Sequence, residues 1–247
     1  MEETLLELRD ITCYLEKGIN IFSGISFCVQ KGDILVLQGR SGSGKSTLLK
    51  CIAQLNMHTG ETLYRGRTPQ AYGIPAYRTR VMYVPQRPSL LPGSPYDFLV
   101  TITNFRAHKD FSQSNERGSF DQVFQRATAV GEDWGVQADL WRRDWMNLSG
   151  GEGQRILLAA AVSLDTAEVL LLDEPTSALD SETSLLVENY LVERTKAGDT
   201  SLKSLVWITH SPEQSRRVGT RFIYISGGKN YESDDPSPSP YPSTPVG

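Results

Sequence analysis

The residues most capable of chemistry are Gly39-Arg40-Ser41-Gly42-Ser43-Gly44-Lys45-Ser46, with Thr47 directly after them. They follow an apolar run, Ile34 to Leu37, and precede Leu48-Leu49-Lys50-Cys51-Ile52, so the order is strand, glycine loop, helix. Glycine tolerates the unusual dihedrals that let several backbone amides converge on one anion, and it leaves room for phosphate to approach. The positive end of the new helix adds to that field. Lys45 is spaced to reach the β and γ phosphates of a nucleotide, and Ser46 to ligate Mg²⁺. The chemistry is that of a phosphate-binding P-loop.

Two further segments carry groups of the right type. Val169-Leu170-Leu171-Leu172 runs into Asp173-Glu174, a second strand ending in two acids. Asp173 suits the Mg²⁺ shell, and Glu174 would lie nearer the γ-phosphate, where a carboxylate can act as general base on a water. Adjacent acids at a strand end arise by chance in many proteins; downstream of a P-loop in one α/β unit they read as machinery for hydrolysis. Leu148-Ser149-Gly150-Gly151-Glu152-Gly153-Gln154-Arg155 offers a second anion-binding end: Ser149 can cap the helix that follows, and Gly150 and Gly151 leave its amides open. One compact unit cannot enclose a γ-phosphate from both sides, so this end is not expected to reach the P-loop of its own chain.

Elements that would position these groups are visible in the apolar pattern. Leu5 to Thr12, Ile19 to Val29 and Ile34 to Leu37 read as strands, with a turn at Lys31-Gly32-Asp33; Gly60 to Tyr64 and Val81 to Val84 are also strand-like. Residues 88–147 are more polar, with a loop over Lys109 to Ser119, then Phe120, Val123, Phe124 and Ala127 at helical spacing. Trp134, Leu140, Trp141 and Trp145 are expected to pack a small helical subdomain. Residues 151–164 and 181–196 suit helices, and 169–172 and 204–209 suit buried strands. Strands alternating with helices imply a mostly parallel sheet covered on both sides.

The bulk composition narrows the class. The chain has 247 residues, 39% hydrophobic and 22% charged, with a net charge of −4. That balance fits a globular protein and gives no general attraction for nucleic acid. Apolar stretches such as Ile156 to Leu164 are too short to span a bilayer, and Glu2, Glu3 and Glu7 are unlike the start of a signal peptide. Cys13, Cys28 and Cys51 form no CxxC pair and are expected as reduced core residues of a cytosolic protein; His58, His108 and His210 are too dispersed to suggest a metal set. Residues 232–247, rich in proline and serine, are expected to form a disordered tail.

With these motifs in order, the sequence resembles the nucleotide-binding subunits of ATP-binding cassette (ABC) transporters over residues 5 to about 228. The resemblance implies a P-loop NTPase core with a mostly parallel sheet, an N-terminal antiparallel β subdomain and a helical subdomain at about 88–147, all within residues 1–231. It implies ATP and Mg²⁺ as cofactors and a head-to-tail dimer, homomeric or heteromeric. Each ATP then lies between one P-loop and the other chain's Ser149-Gly150-Gly151. Gln86 matches the family's Q-loop glutamine at the Mg²⁺, Ser177-Ala178-Leu179-Asp180 its D-loop, and His210 its switch histidine. The adenine-stacking aromatic falls on Tyr14, or on Leu15 if the alignment shifts by one residue. Glu152 stands where many members have glutamine. The resemblance further implies a polytopic membrane subunit as partner and a place on the cytoplasmic face of a membrane. Residues 85–100 and Leu205 to His210 resemble the small Fet-type ATPases, linked to iron export, and their plant relatives, linked to aluminium tolerance. The rival class is a soluble cassette ATPase acting on ribosomes or DNA. Such proteins usually carry two cassettes, a long coiled-coil insertion or a basic surface.

Overall fold

A computed structural model of the protein describes residues 3–14, 18, 20–87, 92–108 and 119–233. The loop expected over Lys109 to Ser119 lies outside the described residues except for Ser119, and the expected tail does so from residue 234 onward.

An α/β core is built on two sheets. β1 (Thr4–Tyr14), β2 (Asn20–Gln30) and β4 (Thr59–Tyr64) form an antiparallel sheet in the order β2-β1-β4. The second sheet has the order β5-β6-β7-β3-β8-β9, from β5 (Val81–Val84), β6 (Val169–Asp173), β7 (Ser204–Ile208), β3 (Ile34–Gln38), β8 (Arg221–Ser226) and β9 (Lys229–Ser233). Its pairs are parallel except β8 with β9. β3, β6 and β7 are buried along their whole length, which explains why they read as unbroken apolar runs: a strand covered on both faces has no polar side to show.

The alternation of side chains sorts these strands into two cores. Leu35, Leu37, Leu171, Val206 and Ile208 face the antiparallel sheet and α1 (Lys45–Ile52). Ile34, Val36, Leu170, Leu172 and Trp207 face the other way, onto α4 (Pro95–Asn104), α5 (Phe120–Asp133), α6 (Gly150–Ser163) and α7 (Ser181–Lys196). Two short helices, α2 (Pro69–Tyr72) and α3 (Ile74–Arg80), lead into β5. The tryptophans are packing residues: Trp141 is fully buried edge-on to Phe124, Trp145 to Phe98, and Trp134 to Tyr190.

Two expectations need correction. Glu232 and Ser233, expected in the tail, belong instead to β9. Glu232 pairs with Ile223 across the hairpin and binds Arg221 Nε at 2.7 Å, a partner that composition alone does not reveal. The helix α8 (Pro212–Val218) and the hairpin β8–β9 add ordered structure after the last strand read from the sequence. Cys13 and Cys51 are core residues, but Cys28 is only half-buried.

Candidate functional site

The glycine loop joins β3 to α1 as its flanking runs require. Gly44, which starts α1, has φ of +93°, and a Cβ there would stand 2.7 Å from Ile21 Cγ2 and 2.8 Å from Phe22 Cδ1. Gly44 is therefore needed for its dihedral and for the close packing of α1 on β2. Lys45 is buried and its Nζ donates to the carbonyls of Gly39 (2.9 Å) and Arg40 (3.0 Å), curling the loop around it. Burial pushes this ammonium below the ordinary lysine value, while the charges of Glu174 and Asp173 oppose the shift. Ser43 Oγ is buried with no hydrogen-bond partner among the described residues. A desolvated cation and an orphaned hydroxyl in one loop are groups that a phosphate would satisfy.

Sheet register brings the two acids to this loop. β6 is separated from β3 by β7, and Ser46 Oγ donates to Asp173 Oδ1 at 2.8 Å. The other oxygen, Oδ2, accepts from the Tyr83 hydroxyl at 2.9 Å. Burial first, and then Asp173, raise the Tyr83 phenol well above its ordinary value, so it acts as a fixed donor. Sequence reasoning missed Tyr83; only the parallel pairing of Tyr83 with Leu171, two residues before Asp173, reveals it.

Glu174 is the most constrained residue of the group. Its φ is +48°, a left-handed conformation that costs a non-glycine residue about 1–2 kcal/mol. The turn is held by its own amide, which donates to Ile208 O at 3.1 Å, and it swings the carboxylate away from the strand. Gln86 Nε2 donates to Oε2 at 2.9 Å, and His210 Nε2 lies 3.1 Å from Oε1. Gln86 Nε2 also reaches Ser177 Oγ at 3.2 Å. Residues far apart in sequence are thus brought together around one carboxylate. Behind His210 a cavity of about 360 Å³ opens between α7 and α8. On its wall the buried Glu188 binds Arg217 through two contacts of 2.9 and 3.0 Å, and Gln214 at 2.7 Å, bracing the segment that follows His210.

Ser149, Gly150 and Gly151 stand apart from that cluster. Ser149 and Glu152 form a reciprocal cap on α6: Ser149 Oγ accepts from the Glu152 amide at 3.2 Å, and Glu152 Oε2 accepts from the Ser149 amide at 2.7 Å. Ser149 and Gly150 are exposed, so the first turn of this 14-residue helix presents amides outward. The backbone bond from Ser149 holds the Glu152 carboxyl below its usual range, which keeps a negative charge beside those amides. Tyr14 is half-exposed at the end of β1, and Leu15 lies outside the described residues.

The site suits a nucleotide and a hard cation. Ser46, Asp173 and Gln86 offer oxygen atoms, the donor type that Mg²⁺ takes. Gln154, not singled out in the sequence, is a hub beneath them: it is buried in α6 and its amide nitrogen donates to Gln86 O (3.1 Å) and Glu174 O (2.9 Å).

The sequence model of the ABC transporter family matches residues 22–177. A phosphate import ATP-binding protein PstB of Pseudoalteromonas translucida (strain TAC 125) is 31% identical over 242 residues, covering 95% of this chain and 83% of the relative. Phosphate import ATP-binding protein PstB 1 of Vibrio parahaemolyticus serotype O3:K6 is 34% identical over 243 residues, covering 95% and 84%. Among solved structures, the ATP-binding subunit of an ABC transporter superposes with a TM-score of 0.77 at 22% identity, covering 94% of this chain and 91% of that one; at that identity the likeness is one of fold.

Proposed function

Since the chain belongs to the ABC transporter family, we propose that it binds and hydrolyses ATP and uses the cycle to drive a separate, membrane-embedded subunit. The observation that carries this reading is the Glu174 carboxylate, held between Gln86 and His210 and next to the Asp173–Ser46 pair.

In this reading the amides of residues 39–47 cradle the β and γ phosphates, and Lys45 trades its carbonyl partners for phosphate oxygens. Tyr14 stacks on the adenine. Ser46, Asp173 and Gln86 would hold Mg²⁺, which would neutralise charge on the phosphates. Glu174 accepts a proton from water, with Gln86 and His210 fixing its direction. Ser149, Gly150 and Gly151 of a second chain close over the γ-phosphate, and Ser177 to Asp180 line the same junction. Closure of the pair around ATP and its release after hydrolysis is a rigid-body transition. Its motion passes to the membrane subunit through the helical layer of α4 and α5.

No helix among the described residues is long and apolar enough to cross a membrane, so the chain's part in transport requires such a partner. We place it on the cytoplasmic face, where ATP is available. Cargo is chosen by the partner's cavity. The relatives named above are import proteins for phosphate, whereas residues 85–100 resemble the Fet-type ATPases of metal export; the named relatives lend that finer resemblance no support. Gentle solubilisation of native membranes with the tagged chain is expected to recover a polytopic membrane protein in about equal amount. Recovery with ribosomes or DNA in the soluble fraction would overturn the transport reading and leave the ATPase reading standing.

Glu152 supplies a test of the signature end. Glutamine keeps both arms of the reciprocal cap and removes a negative charge from the turn that receives the γ-phosphate. Glu152→Gln is expected to lower the KM for ATP by about two- to fivefold, the size of one charge at a helix terminus, with kcat little changed. An unchanged or raised KM would place the γ-phosphate away from α6.

A further inference from the structure

Gln154 is 1% exposed and sits in the second turn of α6, on the same helix as Ser149 and Gly150. Its side chain uses both ends. Nε2 donates to Glu174 O at 2.9 Å and to Gln86 O at 3.1 Å, and Oε1 accepts from the Ala178 amide at 3.1 Å. These three backbone groups belong to two separate segments, the one at Gln86 and the turn that runs from Glu174 to Ala178, and together the segments carry three groups of the site: the Gln86 side chain, the Glu174 carboxylate, and Ser177. The segments meet again one level up, where the Gln86 side chain donates to Glu174 Oε2 and to Ser177 Oγ. Backbone and side chains therefore form two tiers of bonds between the same two segments, and Gln154 is the lower tier.

Two features make the lower tier mechanically important. Glu174 holds its left-handed backbone at the point where its carbonyl is bonded to Gln154. A strained residue persists only while its surroundings fix it. In addition, α6 rests on the same segment at its tip: a Cβ on Gly151 would stand 3.0 Å from Ala178 O. Any shift of α6 along that contact is carried to Ala178, and through Gln154 to the carbonyls behind the two groups that grip the reacting water.

We propose that Gln154 is a positioning residue: it sets the direction of the Glu174 carboxylate and the Gln86 amide from beneath, and it transmits the seating of α6 to them. The proposal rests on the ATPase reading above. In the closed pair, α6 of one chain meets the ATP of the other, so Gln154 links the state of one nucleotide to the hydrolytic groups of the other.

Steady-state ATP hydrolysis by the full chain tests it, with kcat and KM measured separately from pH 6 to pH 8 in the wild type, Gln154→Met and Gln154→Glu. Methionine keeps the volume and removes all three bonds. It is expected to lower kcat by about tenfold or more while KM for ATP stays within about twofold, because the phosphate-binding loop is untouched and misdirection of a reacting group acts on the chemical step. Glutamate keeps an acceptor for the Ala178 amide but sets a carboxylate against two carbonyl oxygens. Burial and those oxygens raise its pKa, and the protonated form regains a donor. The ratio of its kcat to the wild-type kcat is therefore expected to rise several-fold as pH falls from 8 to 6. A residue that merely fills space would be replaced by methionine with no loss of kcat. Three results overturn the proposal: both variants within about twofold of wild-type kcat, equal changes of kcat and KM in Gln154→Met, or a glutamate-to-wild-type ratio flat with pH. A wild-type chain with no Mg²⁺-dependent hydrolysis is a separate outcome; it would reject the ATPase reading and this proposal with it.

Discussion

Glu174→Gln is expected to lower steady-state ATP turnover by about 100-fold or more and to leave a long-lived ATP-bound pair of chains. The size follows from losing a positioned general base, worth about 10² to 10⁴ in rate. Geometry should survive the exchange. A glutamine at 174 can turn its carbonyl oxygen to Gln86 Nε2 and its amide nitrogen to His210 Nε2, which accepts when the ring proton sits on Nδ1. The backbone bonds that hold the left-handed turn, from the Glu174 amide to Ile208 and from Gln154 to the Glu174 carbonyl, do not involve the side chain. ATP affinity should accordingly remain within a few-fold of wild type. Turnover by phosphate release and association by sedimentation with Mg²⁺-ATP are the measurements. Turnover within about threefold of wild type would remove Glu174 from the role of base.

Lys45→Ala is expected to weaken ATP binding by about 100-fold, or about 2.8 kcal/mol, which is the scale of losing charge-assisted hydrogen bonds to phosphate. Stability should move in the opposite direction or not at all. The Lys45 ammonium is desolvated and its pKa lies below the ordinary lysine value. The protonated form is therefore less favourable in the folded chain than in the unfolded one. Below the folded pKa the group subtracts from stability, and that penalty fades as pH rises through the folded pKa towards the unfolded value. Removing it should leave the Tm of the unliganded protein unchanged or higher, with a loss of function: the trade expected of a binding site built around an uncomfortable charge. Titration with a fluorescent ATP analogue and a thermal melt without nucleotide test both halves. Normal affinity would contradict the phosphate role of Lys45, and a large drop in Tm would mean that its bonds to Gly39 and Arg40 hold the loop together.

Much of the architecture was legible because local pattern and global burial agree here. Val169 to Leu172 and Ser204 to Thr209 read as strands since a central parallel strand must be apolar on both faces, and the second ends one residue earlier, at Ile208. The helix over 181–196 was read with its observed bounds, because Asp180 caps it through the Thr183 amide and hydroxyl. The hairpin β8–β9 was not read. Its outer strand, Lys-Asn-Tyr-Glu-Ser, lies at the sheet edge with one polar face, and it merges in composition with the proline-serine run behind it.

The glycine loop with Lys45 and Ser46, the strand ending in two acids, and the serine-capped glycine turn are legible along the chain as parts suited to phosphate, because each depends on a few residues close together. How those parts meet one another depends on the folded arrangement. That Asp173 is held between Ser46 and Tyr83, that Glu174 is gripped from both sides by Gln86 and His210, and that Gln154 ties the Gln86 segment to the turn after β6 from below are consequences of strand order and register. Tyr83 sits in an ordinary apolar string, and Gln154 lies within the glycine-rich motif without any sign of its own role. What gives them a place in the site is the parallel pairing of β5 with β6 and the packing of α6 beneath them, and no spacing along the chain encodes a contact between segments that meet only when the sheet has formed.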